Sequence, residues 1–164
     1  MTIFTRRFAL YKNGKLIRTL SGMDTLEIKN RKNFIEIGVT PEEEEDLPSY
    51  GDAYVTIFVE SNGFSGRNDL WVTADDMKRF CKSLVQLEVS RKGEAVLESV
   101  SPGELVIKVY ASDELGHMAV SGQTGYLVRG EKEEYKHCVK FGFDLDPSEI
   151  QKAINTDWVR VYAT

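Results

Sequence analysis

Asp52-Ala53-Tyr54-Val55-Thr56-Ile57-Phe58-Val59-Glu60-Ser61 is followed by Asn62-Gly63-Phe64-Ser65-Gly66-Arg67-Asn68-Asp69, and then by the run from Thr73 to Leu87. The first segment is rich in β-branched and aromatic residues. Val55, Ile57 and Val59 alternate with Tyr54, Thr56 and Phe58, so both faces carry apolar weight and the segment reads as a central strand. Ser61–Asp69 reads as a Gly/Ser/Asn corner, with Gly63 and Gly66 free to take positive φ. Thr73 then caps a helix whose first turn holds Asp75 and Asp76, at the positive end of the helix dipole. Met77, Phe80, Cys81, Leu84 and Leu87 recur at helical spacing as one apolar stripe, and Gly93 is the expected left-handed stop. At ~1.5 Å per residue the helix reaches about 25 Å, enough to cross several strands.

Outward from this centre the chain alternates short strands and turns. Asn13-Gly14 between Phe8–Tyr11 and Leu16–Leu20 signals a type I′ hairpin. Strands follow at Thr25–Lys29 and Phe34–Thr40, then a loop, Pro41-Glu42-Glu43-Glu44-Glu45-Asp46-Leu47-Pro48, whose like charges and prolines oppose strand continuation. Past the helix, strands are expected at Glu94–Val100, Leu105–Ala111, His117–Ser121 continuing toward Val128, and Tyr135–Leu145. The short joins, Ser101-Pro102-Gly103-Glu104 among them, make these neighbours antiparallel. Asp146-Pro147-Ser148-Glu149 opens a second, short helix with a capping Asp, Pro in the first turn and Glu three residues after the cap. Trp158–Tyr162 alternates and reads as a last edge strand. The expected fold is α+β: a mostly antiparallel sheet with one main amphipathic helix and a short C-terminal helix, as one domain over residues 1–164, in which 1–50 form an N-terminal β extension and 52–154 the core.

Composition narrows the function. The 164 residues are 41% hydrophobic and 29% charged, and 21 Lys and Arg against 26 Asp and Glu give a net charge of -5. Nucleic-acid and anionic-membrane binding rest on clustered cations, so neither is expected. No apolar run reaches the ~18 residues of a membrane span, and the first residues do not form a secretory signal. Cys81 and Cys138 read as buried free thiols of a reducing cytosol.

A search for chemistry finds little. Cys81, His117, His137 and Cys138 lack the spacing of a zinc site. Gly63-Phe64-Ser65-Gly66 falls one residue short of a nucleophile-elbow motif, and no phosphate-binding glycine loop occurs. Carboxylates such as Glu60, Glu94, Glu98 and Glu104 read as solvated strand exteriors. His117, after Gly116, is the most notable isolated residue, and its plainer reading is a histidine bonded to a neighbouring loop.

Phe64-Ser65-Gly66, Trp71-Val72, the stripe of Phe80, Leu84 and Leu87, Ala95-Val96-Leu97-Glu98-Ser99, Ser101-Pro102-Gly103-Glu104-Leu105, Leu115-Gly116-His117-Met118-Ala119-Val120 and Phe141-Gly142-Phe143-Asp144-Leu145-Asp146-Pro147 occur in this order. In that order the chain resembles bacterial WapI-family immunity proteins over roughly Asp52 to Ile154. The resemblance implies a non-enzymatic cytosolic protein that neutralises a cognate toxin, and it supplies no catalytic residue and no cofactor. On this reading Glu42, Glu43, Glu44, Glu45 and Asp46 steer a basic partner. The alternative class is a ligand-binding protein or hydrolase with a pocket near Ser61–Asp69, built from Ser65, Asn68 and His117. A third outcome is a homodimer formed through a sheet edge.

Overall fold

The computed structural model describes residues 25–164, together with the backbone of two paired strands before them, β1 (Phe8–Lys12) and β2 (Lys15–Leu20). The Asn13-Gly14 turn expected between that pair lies outside the described residues.

Apart from the two-stranded β1–β2 pair, the antiparallel strands divide into two four-stranded sheets. The first runs β3 (Thr25–Asn30), β4 (Asn33–Pro41), β5 (Ala53–Ser61) and β6 (Phe64–Val72), each paired to the next. The second contains β7 (Glu94–Glu98), β8 (Leu105–Ala111), β9 (Met118–Arg129) and β10 (Glu134–Leu145), again in chain order. Helices α1 (Ala74–Ser90), α2 (Pro147–Ile154) and α3 (Asp157–Ala163) complete it. This is the expected α+β class, with the main helix and a short helix at the C-terminal end.

Period-two alternation decides which way each strand faces. Leu26 and Ile28, Ile35, Ile37 and Val39, Val55, Ile57 and Val59, and Leu70 and Val72 are all buried on one face of the first sheet. In the second sheet the buried set is Ala95 and Leu97, Leu105, Ile107 and Val109, Met118 and Val120, with Phe141 and Leu145. These faces meet where β10 lies against β3, β5 and β6, and β9 against β6. The β7–β8 half of the second sheet is met instead by α1, whose Met77, Phe80, Cys81, Leu84 and Leu87 are buried, and α2 and α3 close around α1. All of these residues belong to one connected core. The helix therefore engages chiefly β7 and β8 and its fellow helices, a narrower span than its length permits.

Helix α1 starts as its sequence requires. Thr73 Oγ1 accepts from the backbone N–H of Asp76 at 3.1 Å and donates to the Asp76 carboxylate at 2.7 Å. Asp52, reaching from the start of β5, accepts from the N–H of Ala74 at 2.8 Å. The stop differs from expectation: Arg91, at φ 52°, takes the left-handed position, and its N–H donates to Leu87 O at 2.9 Å, two residues before Gly93. A non-glycine residue tolerates this region as a single position, at a cost that the closing bond offsets.

Two further expectations are corrected. Ser61–Asp69 is not a corner but a hairpin: β5 runs to Ser61, Asn62 (φ 51°) and Gly63 (φ 85°) make the two-residue turn, and β6 starts at Phe64. Positive φ at both central residues is the type I′ requirement, met here by Asn-Gly. The polar residues beyond it form a true strand because Ser65, Arg67 and Asp69 point to solvent. Gly66 is small where the sheets cross, since a Cβ there would lie 2.8 Å from the Val139 side chain. The tail is helix α3, not an edge strand. Trp158, Val159 and Tyr162 are buried while Val161 is 65% exposed, a helical and not an alternating pattern.

Replacing Phe80 by Ala removes a fully buried ring from α1, and urea unfolding is expected to show a loss of ~3–5 kcal/mol. Val161→Ala, on the exposed side of α3, is expected to stay within about 0.5 kcal/mol of the parent.

Candidate functional site

The acidic loop is ordered by its own backbone. Glu42 N–H donates to Asp52 O at 2.7 Å and Gly51 N–H to Glu42 O at 3.0 Å, extending the β4–β5 ladder one rung past Pro41 and Ala53. Leu47 N–H donates to Glu44 O and Tyr50 N–H to Leu47 O, folding the tip into successive turns. Glu43, Glu44, Glu45 and Asp46 are exposed and Glu42 is half-buried. Leu47 and Tyr50 are exposed beside them.

The three residues of the alternative pocket are placed apart. Ser65 is exposed on the outer side of β6. Asn68 is buried between the sheets, where its Nδ2 donates to Gly125 O at 3.0 Å and to Glu104 O at 3.4 Å. It ties β6 to β9 and to the turn before β8. His117 precedes β9, eight positions from Gly125 and so about 26 Å away along an extended strand. Its side chain is 71% exposed. Nδ1 of His117 lies 2.5 Å from the Asp113 carboxylate, whose other oxygen accepts from the N–H groups of Leu115 and His117. The geometry is a self-contained turn.

That turn has an electrostatic signature. The Asp113 hydrogen bond raises the His117 pKa above 6.5, and the same bond lowers that of Asp113. For a histidine whose folded pKa is raised, the stabilisation is present below the unfolded pKa and fades as pH rises through the folded value. Exposure makes it small.

A polar groove of about 420 Å³ separates β3 from α2, lined by Thr25, Glu27, Lys29, Glu149, Lys152, Asn155 and Thr156. Glu149, the third residue of α2, does not close a reciprocal cap. Its carboxylate is buried, accepting from Lys29 N–H at 3.1 Å and from Lys152 Nζ at 2.5 Å, and so it clips the edge strand to the helix. Among the described residues, no three His, Cys, Asp or Glu side chains converge to hold a metal ion.

The outer face of the first sheet is the feature that motif-based reading misses. The register sets Thr40, Tyr54 and Trp71 in one row and Thr25, Gly38, Thr56 and Asp69 in the next. Glu27, Glu36, Phe58 and Arg67 follow, then Lys29, Phe34, Glu60 and Ser65. Tyr54 and Trp71 meet edge to face at 5.5 Å, and Phe34 and Phe58 lie 5.3 Å apart. Trp71 is 43% exposed, whereas Tyr54, Phe34 and Phe58 are half-buried. Burial first, and the Asp69 carboxylate second, push the Tyr54 phenol up. The signal was present in the second apolar face of Asp52–Ser61, which reads as core until the pairing shows that face turned outward.

A second exposed region is the far end of β9–β10. Tyr126, Val128, Tyr135 and His137 continue the parity of the buried face beyond the first sheet, and Tyr126 stacks on His137 with centroids 6.0 Å apart. Cys138, on the opposite side of β10, is exposed, which corrects the expectation of two buried thiols. Cys81 is buried in α1, and burial pushes its thiol up to about 12.

The fold and its surfaces define a two-sheet α+β scaffold with an aromatic, carboxylate-bearing face and an acidic loop. A family model described as the immunity protein WapI-like family matches residues 25–160, and the chain belongs to that family. The match takes in β3 and β4, so the family region begins well before Asp52. Comparisons with curated proteins and with solved structures found no match. No helix among the described residues is long and apolar enough to cross a membrane.

In an NMR titration Asp113→Asn is expected to return the His117 pKa toward 6.5, the value from which the carboxylate raises it. A thiol reagent is expected to modify Cys138 in the native protein and Cys81 only under denaturant. Rapid native modification that survives Cys138→Ser would contradict this.

Proposed function

We propose that this chain is a non-enzymatic cytosolic immunity protein that neutralises a cognate protein toxin by binding it. The observation that carries the reading is family membership across residues 25–160. Geometry supports it: Ser65, Asn68 and His117 occupy an outer strand face, an inter-sheet tie and a distant turn, an arrangement with no shared reaction centre. The single connected core supports treating the chain as one domain.

Neutralisation by binding needs fast encounter, and the Glu42–Asp46 loop supplies a negative field for a basic partner. Exposed charges of this kind act mainly on the association rate and are screened beyond a Debye length of ~8–10 Å at physiological salt.

Co-expression with a candidate toxic domain, chosen by capture on the purified protein or from the gene's neighbourhood, is the direct test, with restored growth expected and continued toxicity with every captured candidate counting against the proposal. Replacing Glu43, Glu44 and Glu45 by Gln is expected to slow association with the purified toxic domain about tenfold at low salt, with little change in dissociation. Stopped-flow kinetics at two ionic strengths measures both.

A further inference from the structure

We propose that the outer face of β3–β6, centred on the Tyr54–Trp71 pair and the Asp69 carboxylate, is the docking surface for a basic protein and receives a lysine or arginine side chain of that partner. This deepens the reading of the chain as a neutralising protein and depends on it for the partner's identity.

Chemistry selects the occupant. Solvent-facing rows of a sheet ordinarily carry small polar or charged residues, yet here four aromatic rings occupy three of the rows. Aromatic residues on a solvent-facing surface, here the exposed Trp71 beside three half-buried rings, are enriched at the anchors of protein interfaces. Carboxylates are interleaved with them: Asp69 lies next to the Tyr54–Trp71 row, Glu36 opposite Phe58, and Glu60 opposite Phe34. The same face holds Glu27, Glu36, Glu60 and Asp69 against Lys29 and Arg67, and Lys29 is already bound to Glu27 at 2.7 Å. An indole and a phenol beside a carboxylate offer a cation both a negative ring face and a counter-charge. Phosphate groups would be repelled, which disfavours a nucleic acid. The acidic loop extends this negative character from the end of the same β4–β5 hairpin, starting two rungs beyond the Thr40–Tyr54 pair.

The far end of β9–β10 does not offer the same definition. It exposes Tyr126, Val128 and Tyr135, but its charges balance between Arg129, Lys132 and Lys136 and Glu131, Glu133 and Glu134, so it selects no partner chemistry.

The two tryptophans make the test direct, because Trp71 lies on this face and Trp158 is 6% exposed in the core. The ¹⁵N-labelled protein is titrated with a peptide of alternating arginine and glycine, and with its glutamate counterpart. The expected result is a saturable shift of the Trp71 indole N–H with the arginine peptide alone, while Trp158 stays fixed. Trp71→Ala and, separately, Asp69→Lys should each weaken binding about tenfold, the loss typical of truncating an interface anchor. An unmoved Trp71 resonance, or undiminished binding by both variants, overturns the docking surface.

The growth assay separates this from the functional reading. Loss of protection in Asp69→Lys with the acidic loop intact supports the surface. Full protection by both variants overturns it and leaves the immunity function standing. Absence of protection by the parent chain overturns the function, while the peptide titration still decides the face.

Discussion

The buried stripe of α1 is the contact on which the rest of the structure depends. The second sheet presents a continuous apolar face, but the first sheet covers only its β9–β10 side. Without Met77, Phe80, Leu84 and Leu87 against β7 and β8, that half would face water. Each large side chain so buried contributes on the order of 1.5–3 kcal/mol before ordering entropy is subtracted. The helix also anchors the C-terminal segment, since α3 packs on α1 and the Tyr162 hydroxyl donates to Gly51 O at 2.9 Å. The base of the acidic loop is thereby held to the core by a residue from the end of the described chain.

Where the sheets cross, packing and hydrogen bonding act together. Gly66 lets Val139 approach β6, and Asn68, two residues on, donates to Gly125 O of β9 and to Glu104 O in the turn before β8. A buried amide is stable only when its polar atoms are matched, and this one also accepts from Asp69 N–H at 2.9 Å. These positions explain why β6 has so polar a composition and still forms a nine-residue strand. Its inner side is shaped by a neighbour, its outer side by solvent and by whatever binds there.

Legibility depended on how local each signal was. Helix α1 could be read because its stripe, Thr73 cap and first-turn aspartates all lie within one segment. β3, β4, β5, β8 and most of β9 and β10 could be read from alternation or β-propensity. The hairpin at Asn62-Gly63 could not, because the cues that normally mark loops crowd the strand beyond it, and the reason for Gly66 and Asn68 lies some sixty or seventy residues away in sequence. Trp158–Tyr162 misled because Trp158 and Tyr162 satisfy both a two-residue and a helical period, and only the burial of Val159 with the exposure of Arg160 and Val161 separates them. Cys138 sits in a strand as expected, but strand membership alone cannot say which side meets water. The outer aromatic face was half visible: the rings were read, their direction was not.

The direction in which the two sheets cross carries a consequence for how this scaffold varies. β10 spans the first sheet from β3, where Asp144 O accepts from Asn30 Nδ2, to β6, where Val139 meets Gly66. Beyond that crossing the ribbon of β9 and β10 runs on past the β6 edge, carrying Tyr126 and Tyr135 with it. One more strand paired to β6 would extend a roof over that ribbon, whereas a longer β5–β6 hairpin would grow across it and leave it bare. The amount of bare apolar ribbon is thus set by the number of strands in the first sheet, without altering any core side chain.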